Sequence, residues 1–151
     1  MDEPVYLYYE LTNYHQNHRL YVKSRSADQL AGEDIDSEDI STDCDPIEEV
    51  GDLDNIYVTK GESKSKKANP CGLIAGSLFL DTFKLKSALA NSNDFELDFD
   101  VAWPEDDTDI YKADDPDENT QWHDVEEDAF KVWMRVGATN NFRKLYAIID
   151  E

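Results

Sequence analysis

From Phe95 to Trp103 apolar and acidic residues alternate, with Ala102 in place of the last acid. Phe95, Leu97, Phe99, Val101 and Trp103 fall on one side, and Glu96, Asp98 and Asp100 on the other. A period of two with one acidic side predicts an antiparallel strand with one buried and one solvated face. Val5 to Asn13 alternates too. Val5, Leu7, Tyr9 and Leu11 oppose Tyr6, Tyr8, Glu10 and Thr12, with the aromatic enrichment of a strand. These segments carry much of the core, because the polar residues gather elsewhere. Ser26 to Glu49 and Glu105 to Asp128 are dominated by Asp, Glu and Ser and read as long solvated acidic loops. The 151 residues suffice for one domain and carry a formal net charge of −21. Such a surface repels phosphate, which argues against nucleic acid as a partner and against docking on an anionic lipid surface.

The remaining segments complete a β-rich pattern. Tyr14 to Arg19 is a polar turn leading into a short helix to about Arg25. Ile56 to Thr59 reads as a short strand, and Gly61 to Ala68 as a basic, serine-rich loop. Pro70 to Asp81 turns apolar at Leu73, Ile74, Leu78 and Phe79, a spacing that suits a short buried helix. Thr82 to Leu85 starts a strand. Phe130, Val132, Met134 and Val136 alternate with Lys131, Trp133 and Arg135 as a further strand. Phe142, Leu145, Tyr146 and Ile149 recur at i, i+3, i+4, i+7. That predicts an amphipathic helix capped by Asn140 or Asn141, its stripe facing the core. The expected fold is mainly β (α+β): an antiparallel β-sandwich-like core with short decorating helices and long acidic loops.

Motifs that carry chemistry are scarce. The six glycines are scattered and form no phosphate loop, and there is no G-x-S-x-G elbow. His15 and His18, three residues apart, read as hydrogen-bonding side chains rather than as two ligands of a metal that would need a third. Asp115, Asp117, Asn119 and Glu126 match positions 1, 3, 5 and 12 of a calcium loop. Position 6, however, is Thr120 where the wrap needs glycine, and Pro116 interrupts the run, so a solvated acidic loop is the preferred reading. Glu105, Asp106 and Asp107 read as surface rather than as a glycosidase pair. The expectation is no catalytic residue, no cofactor and no metal. Cys44 and Cys71 fit neither a zinc ribbon nor a C-x-x-C redox pair. They are two unrelated thiols in a reducing compartment or one disulfide in an oxidising one. No apolar run approaches the roughly 20 residues that span a bilayer. Met1-Asp2-Glu3-Pro4 has no signal-peptide character, which by itself points to the cytosol.

Three segments together resemble a known family. They are PVYLYYELTNYHQNHRLYVKSRSADQLAG (Pro4 to Gly32), NPCGLIAGSLFLDTFKL (Asn69 to Leu85) and AFKVWMRVGATNNFRKLYA (Ala129 to Ala147). In that order they are similar to the Cdc-fifty/Lem-three (ligand-effect modulator) family, the β-subunits of type IV P-type ATPases. The resemblance implies a non-catalytic accessory subunit needed for folding, endoplasmic reticulum exit and activity of a phospholipid-translocating ATPase. It implies one extracytoplasmic domain, residues 1–151, between two transmembrane helices that this chain lacks. The location implied is the lumenal or extracellular side of the endoplasmic reticulum, Golgi or plasma membrane, which reverses the cytosolic reading. It implies a Cys44–Cys71 disulfide, since the family pairs a cysteine after its Q-L-x-G segment with that of P-C-G.

The chain departs from the family in places. Leu80-Asp81-Thr82 stands where a glycosylation site is usual, and no N-x-S/T sequon occurs anywhere. The family's cysteine-bearing segment before the first strand also has no counterpart. The motif residues Asn13, Gln16, Asn17, His18 and Arg19, with Phe142, Arg143, Lys144 and Tyr146 of F-R-K-L-Y, are candidates for a structural or partner-binding role. For the first group an architectural role is expected, with Arg19 pairing a nearby acid and ATPase contact as the sharper alternative. Without the resemblance, the residues describe an acidic extracellular binding module, with or without calcium.

Overall fold

The computed structural model describes residues 4–54, 63–86, 95–107, 110–113 and 121–150. Strand β1 (Val5–Thr12) is followed by three short helices, α1 (Arg19–Lys23), α2 (Ala27–Leu30) and α3 (Ser37–Asp43). Then come β2 (Glu96–Asp98), α4 (Asp128–Met134) and β3 (Asn141–Asp150). The strands form an antiparallel sheet in the order β1-β3-β2, with β3 in the middle. Among the described residues this is the one sheet, and helix covers its inner face, an α+β arrangement.

The pairing of β1 and β3 runs from Val5 opposite Ile149 to Thr12 opposite Asn141, with an irregularity beside Leu7 and Tyr8. Leu7 faces Ala147 and Tyr8 faces Leu145, so Tyr146 is the extra residue of a bulge. Paired residues share a face. Leu7, Tyr9 and Leu11 therefore lie with Ala147, Lys144 and Phe142 on the inner side, while Tyr6, Tyr8 and Glu10 lie with Ile148, Leu145 and Arg143 on the other.

The inner face packs on a cluster of Leu30, Ile74, Ala75, Leu78, Tyr111, Val125, Phe130, Trp133 and Met134, to which Tyr9 and Leu11 add from β1. Tyr9 stacks on Phe79 with ring centroids 4.2 Å apart. A second cluster, Ile35, Ile40, Cys44, Leu53, Ala68 and Cys71, surrounds the disulfide.

Several expected elements differ. Residues 141–150 are a strand, not an amphipathic helix. The bulge inserts one residue between Lys144 and Ala147, so the sheet's own parity slips and Phe142, Leu145, Tyr146 and Ile149 imitate a helical period. The expected strand at Phe130 to Val136 is α4. Its alternation was accidental, because Phe130 to Met134 are all buried and the helix has no polar face to reveal its period.

Only Glu96–Asp98 of the Phe95 to Trp103 segment is strand. Phe95, Phe99 and Trp103 are 45%, 52% and 59% exposed rather than inward. Two carboxylates end the strand: Asp98 accepts from Asp100 N–H, and Asp128 accepts from Val101 and Ala102 N–H at 2.8 and 2.9 Å. These side-chain acceptors replace a ladder partner.

Thr82 to Leu85 forms no strand, and Phe83 N–H donates to the Tyr146 hydroxyl instead. Pro70 to Asp81 contains only a 3-10 turn, Ala75–Ser77, although Ile74 and Leu78 are buried. The stretch Ser26 to Glu49 is not a simple solvated loop. It folds into α2 and α3, and Leu30, Ile35 and Ile40 are buried. Ser26 caps α2 and Asp36 caps α3. Likewise Tyr111 and Val125 carry part of the Glu105 to Asp128 stretch into the core. The expected strand at Ile56 to Thr59 lies outside the described residues.

Candidate functional site

The polar motif after β1 is fixed in space by the chain that leads into β3. Asn13 takes a left-handed conformation (φ 57°), which asparagine tolerates better than most residues, and turns the chain out of the strand. Its backbone N–H donates to Asn141 Oδ1 at 2.9 Å, and Tyr14 N–H donates to Asn140 O at 3.0 Å. Gln16 is wholly buried. Its Oε1 accepts from Gly137 N–H at 2.8 Å, and its Nε2 donates to the Tyr21 hydroxyl at 3.4 Å. Asn17 Nδ2 donates to Ala138 O at 3.2 Å. Gly137 has no room for a side chain, since a Cβ there would lie 2.6 Å from the Phe142 ring.

His18 precedes α1 and bonds through its backbone, its N–H donating to His15 O. Arg19 opens the helix. It is exposed and, contrary to expectation, forms no ion pair among the described residues.

The F-R-K-L-Y residues do not share one face. Phe142 meets Tyr14 edge-on at 6.1 Å. Arg143 points to the other side and pairs with Glu10. Tyr146 sits at the bulge, ringed by Phe83 and Phe99 at 5.0 and 5.6 Å.

Lys144 turns inward and is buried. Its Nζ donates to the carbonyls of Val132 and Trp133 at 2.9 Å, and to that of Arg135. These oxygens lie at the C-terminal end of α4, where a cation is favoured. Burial pushes the Lys144 ammonium down to about 7. A lysine at an inward strand position is a signal that hydrophobic periodicity does not register.

Cys44 and Cys71 are joined in a disulfide. Its surroundings contain polar residues that the sequence reading passed over. Ser24 Oγ donates to Cys44 O at 3.0 Å and accepts from Leu73 N–H at 2.8 Å. Gln29 Oε1 accepts from Cys71 N–H at 2.8 Å, and its Nε2 donates to Ala68 O at 2.9 Å. Gly72 has φ 93°, and a Cβ there would lie 2.2 Å from Ser24 O, so only glycine fits. Ser24 and Gln29 are buried, and nothing in the sequence separates them from exposed Ser and Gln.

The three segments that carry the family resemblance thus converge. Tyr21 and Ser77 hydroxyls are 2.7 Å apart, Trp133 Nε1 donates to Ile74 O at 2.7 Å, and Gln16 holds Gly137.

Among the described residues, clefts of about 660 and 630 Å3 lie against the sheet. The larger runs past Tyr8, Trp103, Arg135 and Arg143. Its cations are already engaged. Arg135 holds buried Asp106 through two bonds of 2.7 and 2.9 Å and lies over the Trp103 ring, and Arg143 holds Glu10. No nucleophile-and-base pair converges there among the described residues. No cluster of three metal-ligating side chains occurs among the described residues either. Asp115, Asp117 and Asn119 of the calcium-like loop lie outside them, while Glu126 accepts from Ala113 N–H at 3.1 Å. No helix among the described residues is long and apolar enough to cross a membrane.

Comparison with known proteins places these features in a family. The family model described as LEM3 (ligand-effect modulator 3) family / CDC50 family matches residues 1–151. ALA-interacting subunit 3 of Arabidopsis thaliana is 34% identical over 99% of this chain and 42% of its own length. Phospholipid-transporting ATPase accessory subunit CRF1 of Saccharomyces cerevisiae is 34% identical over 93% of this chain and 37% of its own length. Cell cycle control protein 50A of Rattus norvegicus is 32% identical over 97% of this chain and 50% of its own length. The chain therefore spans half or less of each of these relatives.

Proposed function

The chain belongs to the LEM3 (ligand-effect modulator 3)/CDC50 family, and on that premise we propose that it is the extracytoplasmic domain of a non-catalytic accessory subunit of a phospholipid-translocating P-type ATPase. The subunit is required for the ATPase to fold, leave the endoplasmic reticulum and work. Through membrane helices outside this chain it resides in the endoplasmic reticulum, Golgi or plasma membrane, with this domain on the lumenal or extracellular side.

One observation carries the reading. The segments that resemble the family supply seven of the nine buried residues of the main core cluster and are bonded to one another, so the shared sequence builds most of that core. The disulfide suits an oxidising compartment. Asn13, Gln16 and Asn17 then act as architecture, and His18 and Arg19 remain available to a partner. The sheet is one layer of a sandwich. Tyr6 and Tyr8, 51% and 53% exposed on the outer face, offer the surface for a second layer.

The test is complementation. Cells stripped of their own accessory subunits would express a phospholipid-transporting ATPase with or without the full-length protein that contains this domain. The expected result is ATPase leaving the endoplasmic reticulum and uptake of fluorescent phospholipid only when both are present. Normal export and uptake of the ATPase alone would refute the proposal.

A further inference from the structure

Three long stretches of this chain contain no Asp or Glu although the protein carries a net charge of −21. They are residues 11–27, 63–80 and 129–149. The cations of the last are engaged: Lys131 with Asp128, Arg135 with Asp106, Arg143 with Glu10, and Lys144 with backbone carbonyls. In 63–80, Lys67 meets Asp34 and the Ile35 carbonyl. The first is different. Arg19 and Lys23 are exposed and have no ion pair among the described residues. Between them Leu20 is 66% exposed, the most of any large apolar side chain described, and Val22 is 36% exposed.

At about 100° per residue, Val22, Arg19, Lys23 and Leu20 sweep an arc of roughly 160° on α1. Tyr21 stands opposite that arc. Its hydroxyl is held by Ser77 at 2.7 Å and by buried Gln16, which is itself tied to Gly137. A helix of five residues would not hold its shape alone. Here the polar motif clamps its inner side and presents the outer side as a rigid cationic and apolar ridge.

We propose that this α1 ridge is the docking face for an acidic peptide segment of the ATPase's extracytoplasmic loops, with Arg19 and Lys23 receiving carboxylates and Leu20 covered by an apolar side chain. The inference rests on the accessory-subunit reading and adds the face and the chemistry of contact. Charge complementarity selects the occupant. A membrane surface is broad, and an anionic one would face the repulsion of a domain with a net charge of −21, felt within a Debye length of about 8 Å. A narrow acidic segment addresses the ridge alone.

The experiment is co-purification of the full-length subunit with its ATPase from detergent extracts. The variants are Arg19→Glu with Lys23→Glu, Leu20→Ser, and the charge-preserving Arg19→Lys with Lys23→Arg. Disulfide content and Tm serve as checks that each variant folds. The expected result is at least a tenfold loss of complex for the charge reversal, a smaller loss for Leu20→Ser, and near-normal complex for the charge-preserving swap. Added salt should weaken the unaltered complex and leave the reversed one little changed. Equal co-purification of the folded charge-reversal variant would overturn the docking face. So would unchanged ATPase binding combined with lost adhesion to phosphatidylserine vesicles, which would assign the ridge to lipid. If the unaltered subunit itself fails to co-purify, the accessory-subunit reading fails and takes this inference with it.

Discussion

Gln16 and Asn17 are neighbours in one motif, yet they should tolerate loss very differently. Gln16 is buried and satisfies Gly137 N–H, so Gln16→Ala leaves a partly buried donor unpaired beside a void. A cost of about 2–4 kcal/mol is expected, read as a fall in urea midpoint. Asn17 is exposed with one bond of 3.2 Å, and Asn17→Ala should cost about 1 kcal/mol or less. Lys144 makes a pH prediction. Its folded value is near 7, below the roughly 10.4 of an unfolded lysine. Between those values the unfolded chain holds a proton that the folded protein releases, so stability rises with pH across that window and is flat below it. The urea midpoint should climb from pH 7 to pH 9, by about 1 kcal/mol per pH unit, and Lys144→Met should remove the slope. The sequence located these residues but not their depth. Polar side chains that face inward look the same on paper as those that face water.

At the scale of elements, β1 and α1 were legible because each carries an uncompromised pattern: strict alternation in one, a polar break before a short run in the other. Two elements were misread for physical reasons. In β3 the bulge at Tyr146 shifts the parity, and Lys144 occupies an inward position. In α4 burial all round erases the polar face on which a helical period depends. The disulfide pairing came with the family resemblance, whereas the Ser24 and Gln29 bonds beside it depended on folding. Gly72 joins these elements. Gly72→Ala would force a Cβ against Ser24 O at 2.2 Å in a left-handed backbone. A loss of more than about 3 kcal/mol is expected, seen as failure to recover oxidised, folded protein.

Over the whole molecule, one cross-link and one charge imbalance set the conditions for stability. The Cys44–Cys71 bridge spans 27 residues. Removing it should cost about 3–4 kcal/mol on the loop-entropy account, measured as the drop in urea midpoint for Cys44→Ser with Cys71→Ser. The net charge of −21 makes the compact state repel itself, so raising NaCl from 20 to 500 mM should increase Tm. A fall in Tm would mean that attractive ion pairs outweigh that repulsion.

The middle strand of the sheet also sets a schedule. Val5 pairs with Ile149, and Thr12 with Asn141, so the first strand to be made waits for the last. At a synthesis rate of about 5–20 residues per second, β1 spends roughly 7–30 s as an unpaired, tyrosine-rich edge while the rest of the domain emerges. Contacts this distant in sequence form late and slowly. Nascent chains of this domain should therefore associate with holding chaperones until translation passes residue 150. Moving β1 to the C-terminal side of β3 by circular permutation should shorten that dependence.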